Sequence, residues 1–111
     1  MQETIKACDG CTVLVHEAQM LELYAKMPEG LHSFVTKYHT TTEQLAALAT
    51  KAKPKLLVVY HTVNFPPEIP PPRFLSSIGA GTLRPAAEVL QEEISSRYSG
   101  QFVIGRDLDV Y

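Results

Sequence analysis

Cysteine is scarce in this chain, with two residues, Cys8 and Cys11, among 111. That is too few for a disulfide framework, so a cytosolic or other reducing compartment is expected. An excess of one charge is also missing. Lys and Arg number 10 and Asp and Glu 12, which leaves a net charge of -2. Such a balance gives no electrostatic footprint for nucleic acid or for an anionic membrane surface. No apolar run approaches the ~20 residues of a membrane span. The opening Met-Gln-Glu-Thr-Ile-Lys lacks the charged-then-apolar layout of a signal peptide. No internal repeat occurs. What is present, 45% hydrophobic and 20% charged residues, is the composition of a soluble globular chain, one domain at most or part of one.

The most informative stretch is Lys55-Leu-Leu-Val-Val-Tyr-His61. Four consecutive apolar residues (Leu56, Leu57, Val58, Val59) after Pro54 predict a strand buried on both faces, which belongs inside an α/β layered core. His61 stands at its carboxyl end, where open α/β sheets carry ligands. Thr12-Val-Leu-Val-His16 predicts a second buried strand, again ending in His and followed by Glu17. Residues 2–10 are polar and short, with no start signal for a long element. Gln19 to Lys26, with Met20, Leu21, Leu23 and Tyr24, fits a short helix packed on one face and ended by Pro28 and Gly30. Residues 31–40 read as a connection whose Phe34 and Tyr38 fold back onto the core, with His32 solvated in it. Thr41 with Gln44, or Thr40 with Glu43, has the spacing of a capping box. Leu45, Leu48, Ala49 and Ala52 then form the apolar stripe of a helix that stops before Pro54. Strand, helix, loop, helix, strand is a crossover pattern and implies parallel neighbouring strands.

Residues 62–84 are of another kind. Pro66, Pro67, Pro70, Pro71 and Pro72 exclude helix, and the segment is either a surface loop or a lid beside His61. Pro85 suits the first position of a final helix, with Ala87, Leu90, Ile94 and Tyr98 on one face and Gly100 at its end. Residues 101–104 and 107–110 read as short strands. Asp107 and Asp109 suggest a charged edge that discourages pairing. Cys8-Asp9-Gly10-Cys11 precedes a strand, unlike a thioredoxin-type motif at a helix start, and has no second pair to make a zinc ribbon. Structural or incidental cysteines are expected. Gly79-Ala80-Gly81-Thr82 has no Lys to meet a phosphate.

The residues with chemistry to offer are His16, Glu17, His39 and His61, all at strand ends or just before a helix. A parallel layer brings such ends together along one edge of the sheet. Imidazole is a good zinc ligand, and a carboxylate against a second imidazole makes it a proton donor near neutral pH.

Leu14-Val15-His16-Glu17-Ala18, His39-Thr40-Thr41-Thr42 and Leu57-Val58-Val59-Tyr60-His61, in that order, resemble the C-terminal half of the metallo-β-lactamase-fold hydrolases. The ribonuclease Z and arylsulfatase-like branch is the most similar, with its "His-Glu-Ala" strand end, "His-Ser-Thr" helix start and final His after an apolar strand. The tail from Tyr98 to Leu108 is also similar to that family's last helix and strands. The resemblance implies an α/β fold, the C-terminal half of a metallo-β-lactamase-like αββα sandwich over residues 1–111 apart from the Pro-rich loop. It implies zinc as cofactor with His61 as a ligand, Glu17 and His39 as a catalytic carboxylate–imidazole pair, and His16 as a residue that orients the strand end. Thr40 replaces the family's Ser and keeps the hydroxyl.

The family's His-x-His-x-Asp-His motif, its next His ligand and its bridging Asp are absent. The Asp would fall just ahead of Met1. A single protein ligand does not hold a catalytic zinc, which takes three or more. The expectation is therefore the C-terminal part of a zinc-dependent hydrolase of phosphodiester (RNA-type) or sulfate ester bonds. It would be inactive alone and completed by an N-terminal half or by another copy. Half a sandwich would also leave a sheet face and an edge unpaired. The alternative is a non-catalytic product or a small α/β interaction module.

Overall fold

The computed structural model describes residues 2–25, 27–60 and 86–105. Among these, three strands and five helices form a small α/β domain: α1 (Gln2–Cys8), β1 (Val13–Glu17), α2 (Leu21–Tyr24), α3 (Glu29–Tyr38), α4 (Thr42–Ala52), β2 (Leu56–Tyr60), α5 (Ala86–Ser95) and β3 (Phe102–Ile104). The strands lie in the order β1-β2-β3, both pairings parallel. Val13 faces Leu56 and Glu17 faces Tyr60 across the first ladder. Leu57 faces Phe102 and Val59 faces Ile104 across the second. The crossover reading of the sequence is therefore correct in its direction.

Successive side chains of a strand alternate between the sheet's two faces. One face carries Leu14, Leu57, Val59, Phe102 and Ile104, which join α4 and α5 in a single core with Leu45, Leu48, Val89, Leu90 and Ile94. Leu45, Leu48, Leu57, Val59, Val89, Leu90 and Ile94 are fully buried, and each contributes roughly 1.5–3 kcal/mol relative to exposure. On the other face Val58 is buried, so β2 is covered on both sides as expected. Its neighbours there differ: Val13 is 46% exposed, Val15 56% and Tyr60 50%. Among the described strands β1 is thus at the edge of the sheet with one open face, and not the second buried strand that its apolar run suggests.

Helix α4 follows its local signals closely. Thr41 Oγ1 accepts the Gln44 backbone N–H at 3.1 Å, and Gln44 Oε1 accepts that of Thr41 at 3.0 Å, which selects the first of the two possible capping boxes. Leu45, Leu48, Ala49 and Ala52 are all buried. The helix ends with Lys53 in the left-handed region (φ 54°), a position usually given to Gly.

Three stretches depart from the sequence expectation. Residues 2–8 are helical, with Glu3 in the first turn and Lys6 in the last, both favourable to the helix dipole. Seven residues would not hold a helix in isolation. Here Ile5 and Cys8, one turn apart, pack on the core, and Cys8 is disulfide-bonded to Cys11. The two cysteines close a short local ring, with Asp9 and Gly10 both at positive φ. Residues 29–38 are also a helix. Pro28 begins it as the N-cap, and Gly30 and His32 lie within it. Leu31, Phe34, Val35 and Tyr38 have helical spacing, yet no residue of α3 is buried, and Phe34 and Tyr38 are each 61% exposed. They pack on each other, ring centroids 5.0 Å apart, instead of on the core. In α5 the buried positions are Ala86, Val89, Leu90 and Ile94, and Ala87 is exposed.

The chain turns from α5 into β3 at Tyr98–Gly100. Tyr98 is buried with its ring 6.4 Å from that of Phe102, and burial raises its pKa above 10.0. The expected strand at 107–110, the charged edge of Asp107 and Asp109, and the Pro-rich loop at 62–84 lie outside the described residues. No helix among the described residues is long and apolar enough to cross a membrane.

Candidate functional site

Glu17 is the last residue of β1, and His39 is the C-cap of α3, three residues before α4 begins. What joins these segments is main chain. Beyond Glu17 the backbone pairs with the turn that opens α4 through a parallel bridge between Gln19 and Thr41. The Gln19 N–H donates to the Thr40 carbonyl at 2.8 Å, and the Thr42 N–H donates to the Gln19 carbonyl at 3.2 Å. The strand end is thereby held beside the helix start.

The side chains follow from this. Glu17 Oε1 accepts the Thr40 backbone N–H at 2.6 Å. Its other oxygen, Oε2, stands 3.4 Å from His39 Nδ1 and accepts a long bond of 3.5 Å from Gln19 Nε2. A carboxylate only accepts, so the contact with His39 requires the proton on Nδ1. At 3.4 Å it is longer than the ~2.7–2.9 Å of a tight charge-assisted bond. The carboxylate is fixed firmly by Thr40 and orients the imidazole more loosely. His39 is 33% exposed and Glu17 19%, so the pair is reachable from solvent while its carboxylate is mostly covered. A neutral imidazole with its proton on Nδ1 has its lone pair on Nε2.

His16 stands apart from the pair. Its Nδ1 donates to the carbonyl of Glu17 at 2.8 Å, a contact at the strand end itself. His61 lies outside the described residues; in sequence it follows Tyr60, which faces Glu17 across the β1–β2 ladder. Among the described residues no three His, Cys, Asp or Glu side chains group closely enough to hold a metal ion. These residues do not make a zinc site by themselves.

Sequence reasoning missed Glu93. On α5 it reaches the starts of two other helices. Oε1 accepts the Leu21 N–H at 2.7 Å and the Thr42 hydroxyl at 2.6 Å, and Oε2 accepts the Glu22 N–H at 3.1 Å. No local spacing signals a contact between residues so far apart in sequence. An open cleft of about 240 Å³ lies between the end of α4 and Ser99–Gly100. It sits at the amino ends of the strands, opposite Glu17 and His39, and does not serve them. No protein-family model and no curated protein matches the chain.

Proposed function

We propose that the chain supplies the proton-transfer half of a hydrolase acting on phosphodiester or sulfate ester bonds, as the C-terminal half of a metallo-β-lactamase-like αββα sandwich. The observation that carries this reading is the Glu17–His39 pair, a carboxylate anchored by a main-chain N–H and set against one imidazole nitrogen. In such an arrangement Glu17 keeps the proton on Nδ1 and stabilises the imidazolium. His39 then delivers a proton from Nε2 to the departing ester oxygen, a contribution of about 10²–10⁴-fold to rate.

Zinc, which the resemblance implies, would need ligands beyond the described residues, His61 among the candidates. A polypeptide that completes the fold would bring the others. The open face of β1, with Val13 and Val15 exposed, supports a need for such a partner, since parallel sheets are ordinarily covered on both sides. The partner would be an N-terminal half or another copy. The same reading implies the cytoplasm, where Cys8 and Cys11 would be thiols, in contrast to the disulfide that joins them in the structure. Thiol labelling of protein quenched in acid at lysis tests that part.

The direct test supplies a His-x-His-x-Asp-His-bearing half in trans and follows hydrolysis of an aryl phosphodiester and an aryl sulfate. His39→Ala is expected to lower turnover by about 10²–10⁴-fold; unchanged turnover would remove His39 from the chemistry. The second reading, a non-catalytic α/β interaction module, is favoured by helix α3, whose apolar stripe has no buried residue. Zinc content after dialysis separates the two. Metal retained only in the assembled complex favours the hydrolase, and metal-free complexes favour the module.

A further inference from the structure

We infer that Glu93 is the positioning residue of the Glu17–His39 pair, an assignment that rests on the reading of that pair given above. The pair is built from two chain segments, Glu17 to Glu22 and His39 to Thr42. Three hydrogen bonds join them: Thr40 N–H to the Glu17 side-chain Oε1, and the two main-chain bonds between Gln19 and the Thr40–Thr42 turn. All of these lie on one side of the junction. Glu93 closes the other side from a third element. Its carboxylate takes two N–H groups from the start of α2 and the hydroxyl from the start of α4, and so binds both segments just past the Gln19–Thr41 bridge.

The hydrogen-bond supply at each helix start shows why a carboxylate is needed. Helix α2 is a single turn whose N-cap, Met20, has no side-chain cap, so its first N–H groups depend on an acceptor from elsewhere. Helix α4 already has a complete capping box from Thr41 and Gln44. Its Thr42 hydroxyl, fully buried, is therefore an addition to ordinary capping, and a buried hydroxyl needs an acceptor. One oxygen serving Leu21 and Thr42 at once fixes the distance between the two helix starts. That distance sets how far Glu17 stands from His39. Glu93 touches neither Glu17 nor His39 in these contacts; it acts through the segments that bear them.

The experiment is histidine ring ¹H–¹⁵N NMR on the full chain, comparing wild type with Glu93→Gln, Thr42→Val, Thr42→Ser and Glu17→Gln. Gln at 93 keeps the shape but turns an amide donor toward backbone donors. Wild type is expected to show His39 with the proton on Nδ1. Glu93→Gln and Thr42→Val should each lose that signature, with His32, on the exposed face of α3, unmoved. Thr42→Ser, which retains the hydroxyl, should keep it. If Glu93→Gln lowers the denaturation midpoint but leaves the His39 ring signals in place, Glu93 is structural only and the assignment is overturned. Should Glu93→Gln fail to fold, the Thr42 variants decide the matter by the same criterion. If Glu17→Gln leaves the His39 signals unchanged, the pair itself is refuted, and the role of Glu93 goes with it.

Discussion

Gly100→Ala is the perturbation whose effect the structure defines most sharply. A Cβ built on Gly100 would fall onto Oη and Cζ of Tyr98 and lie 2.9 Å from its Cε1. The Gly100 backbone is outside the left-handed region, so the conflict is with the ring and not with φ. The ring cannot easily yield, because Tyr98 is buried against the core and beside Phe102. Overpacking of this kind costs about 1–3 kcal/mol. The sign should reverse in a Tyr98→Leu background. Leucine retains apolar volume but lacks the three atoms that a new methyl would meet. There the substitution should stabilise by about 0.4–1 kcal/mol, through the unfolded chain's loss of freedom. The two limits give a coupling of about 1.4–4 kcal/mol. Urea unfolding followed by far-ultraviolet circular dichroism on the four proteins measures it. Equal costs in both backgrounds would show that Gly100 is required by its own backbone, and the steric account would be wrong.

Lys53→Gly should raise stability by up to about 1.5 kcal/mol, since a left-handed residue other than Gly costs roughly 1–2 kcal/mol and the added freedom of Gly returns roughly 0.5–1; the urea midpoint reports it. Stability should also fall in alkali. The folded pKa of Tyr98 is raised by burial, so its contribution is fully present below pH 10 and is lost as pH rises toward the folded value, because only the unfolded chain ionises there. Tyr98→Phe should lack that alkaline loss in parallel titrations. Phe34→Ser and Tyr38→Ser should each cost no more than about 0.5 kcal/mol, the size of one i,i+4 contact, against about 3–5 for a buried aromatic truncation. Larger losses by thermal unfolding would place α3 against the core.

The elements that were legible from sequence are those whose signals are local and agree with one another. Helix α4 has a capping box, an apolar stripe and Pro54 as a stop, and all three point to the same boundaries. β2 is an uninterrupted apolar run and lies at the centre of the sheet. β1 carries nearly the same run, but its edge position, which depends on the order of strands, leaves Val13 and Val15 exposed. The α3 stripe is in the sequence too; Pro28 serves there as a cap and not as a terminator, and its large aromatics pack on each other and not on the core. Helix α1 has only the weak dipole signals of Glu3 and Lys6 and depends on packing through Ile5 and Cys8. At the candidate site, the parallel layer placed Glu17 and His39 along one edge of the sheet with His16 and His61, and only the resemblance singled out Glu17 and His39 as a pair. The bridge that joins them and the reach of Glu93 were not legible, since both are contacts across long stretches of chain.

The parallel pairing of β1 and β2 has a consequence for the order of assembly during synthesis. A parallel neighbour cannot be added by a tight turn, so β1 leaves the ribosome well before any strand that can receive it. The Gln19–Thr41 bridge needs only the chain up to α4 and can close first, which would bring Glu17 to His39 while the sheet is still absent. β2 then supplies the ladder for β1, and α5 follows with Glu93, the last group to reach the junction. The candidate site would thus be drafted early and locked late, and the interval between is when the apolar face of β1 is most open to the wrong partner.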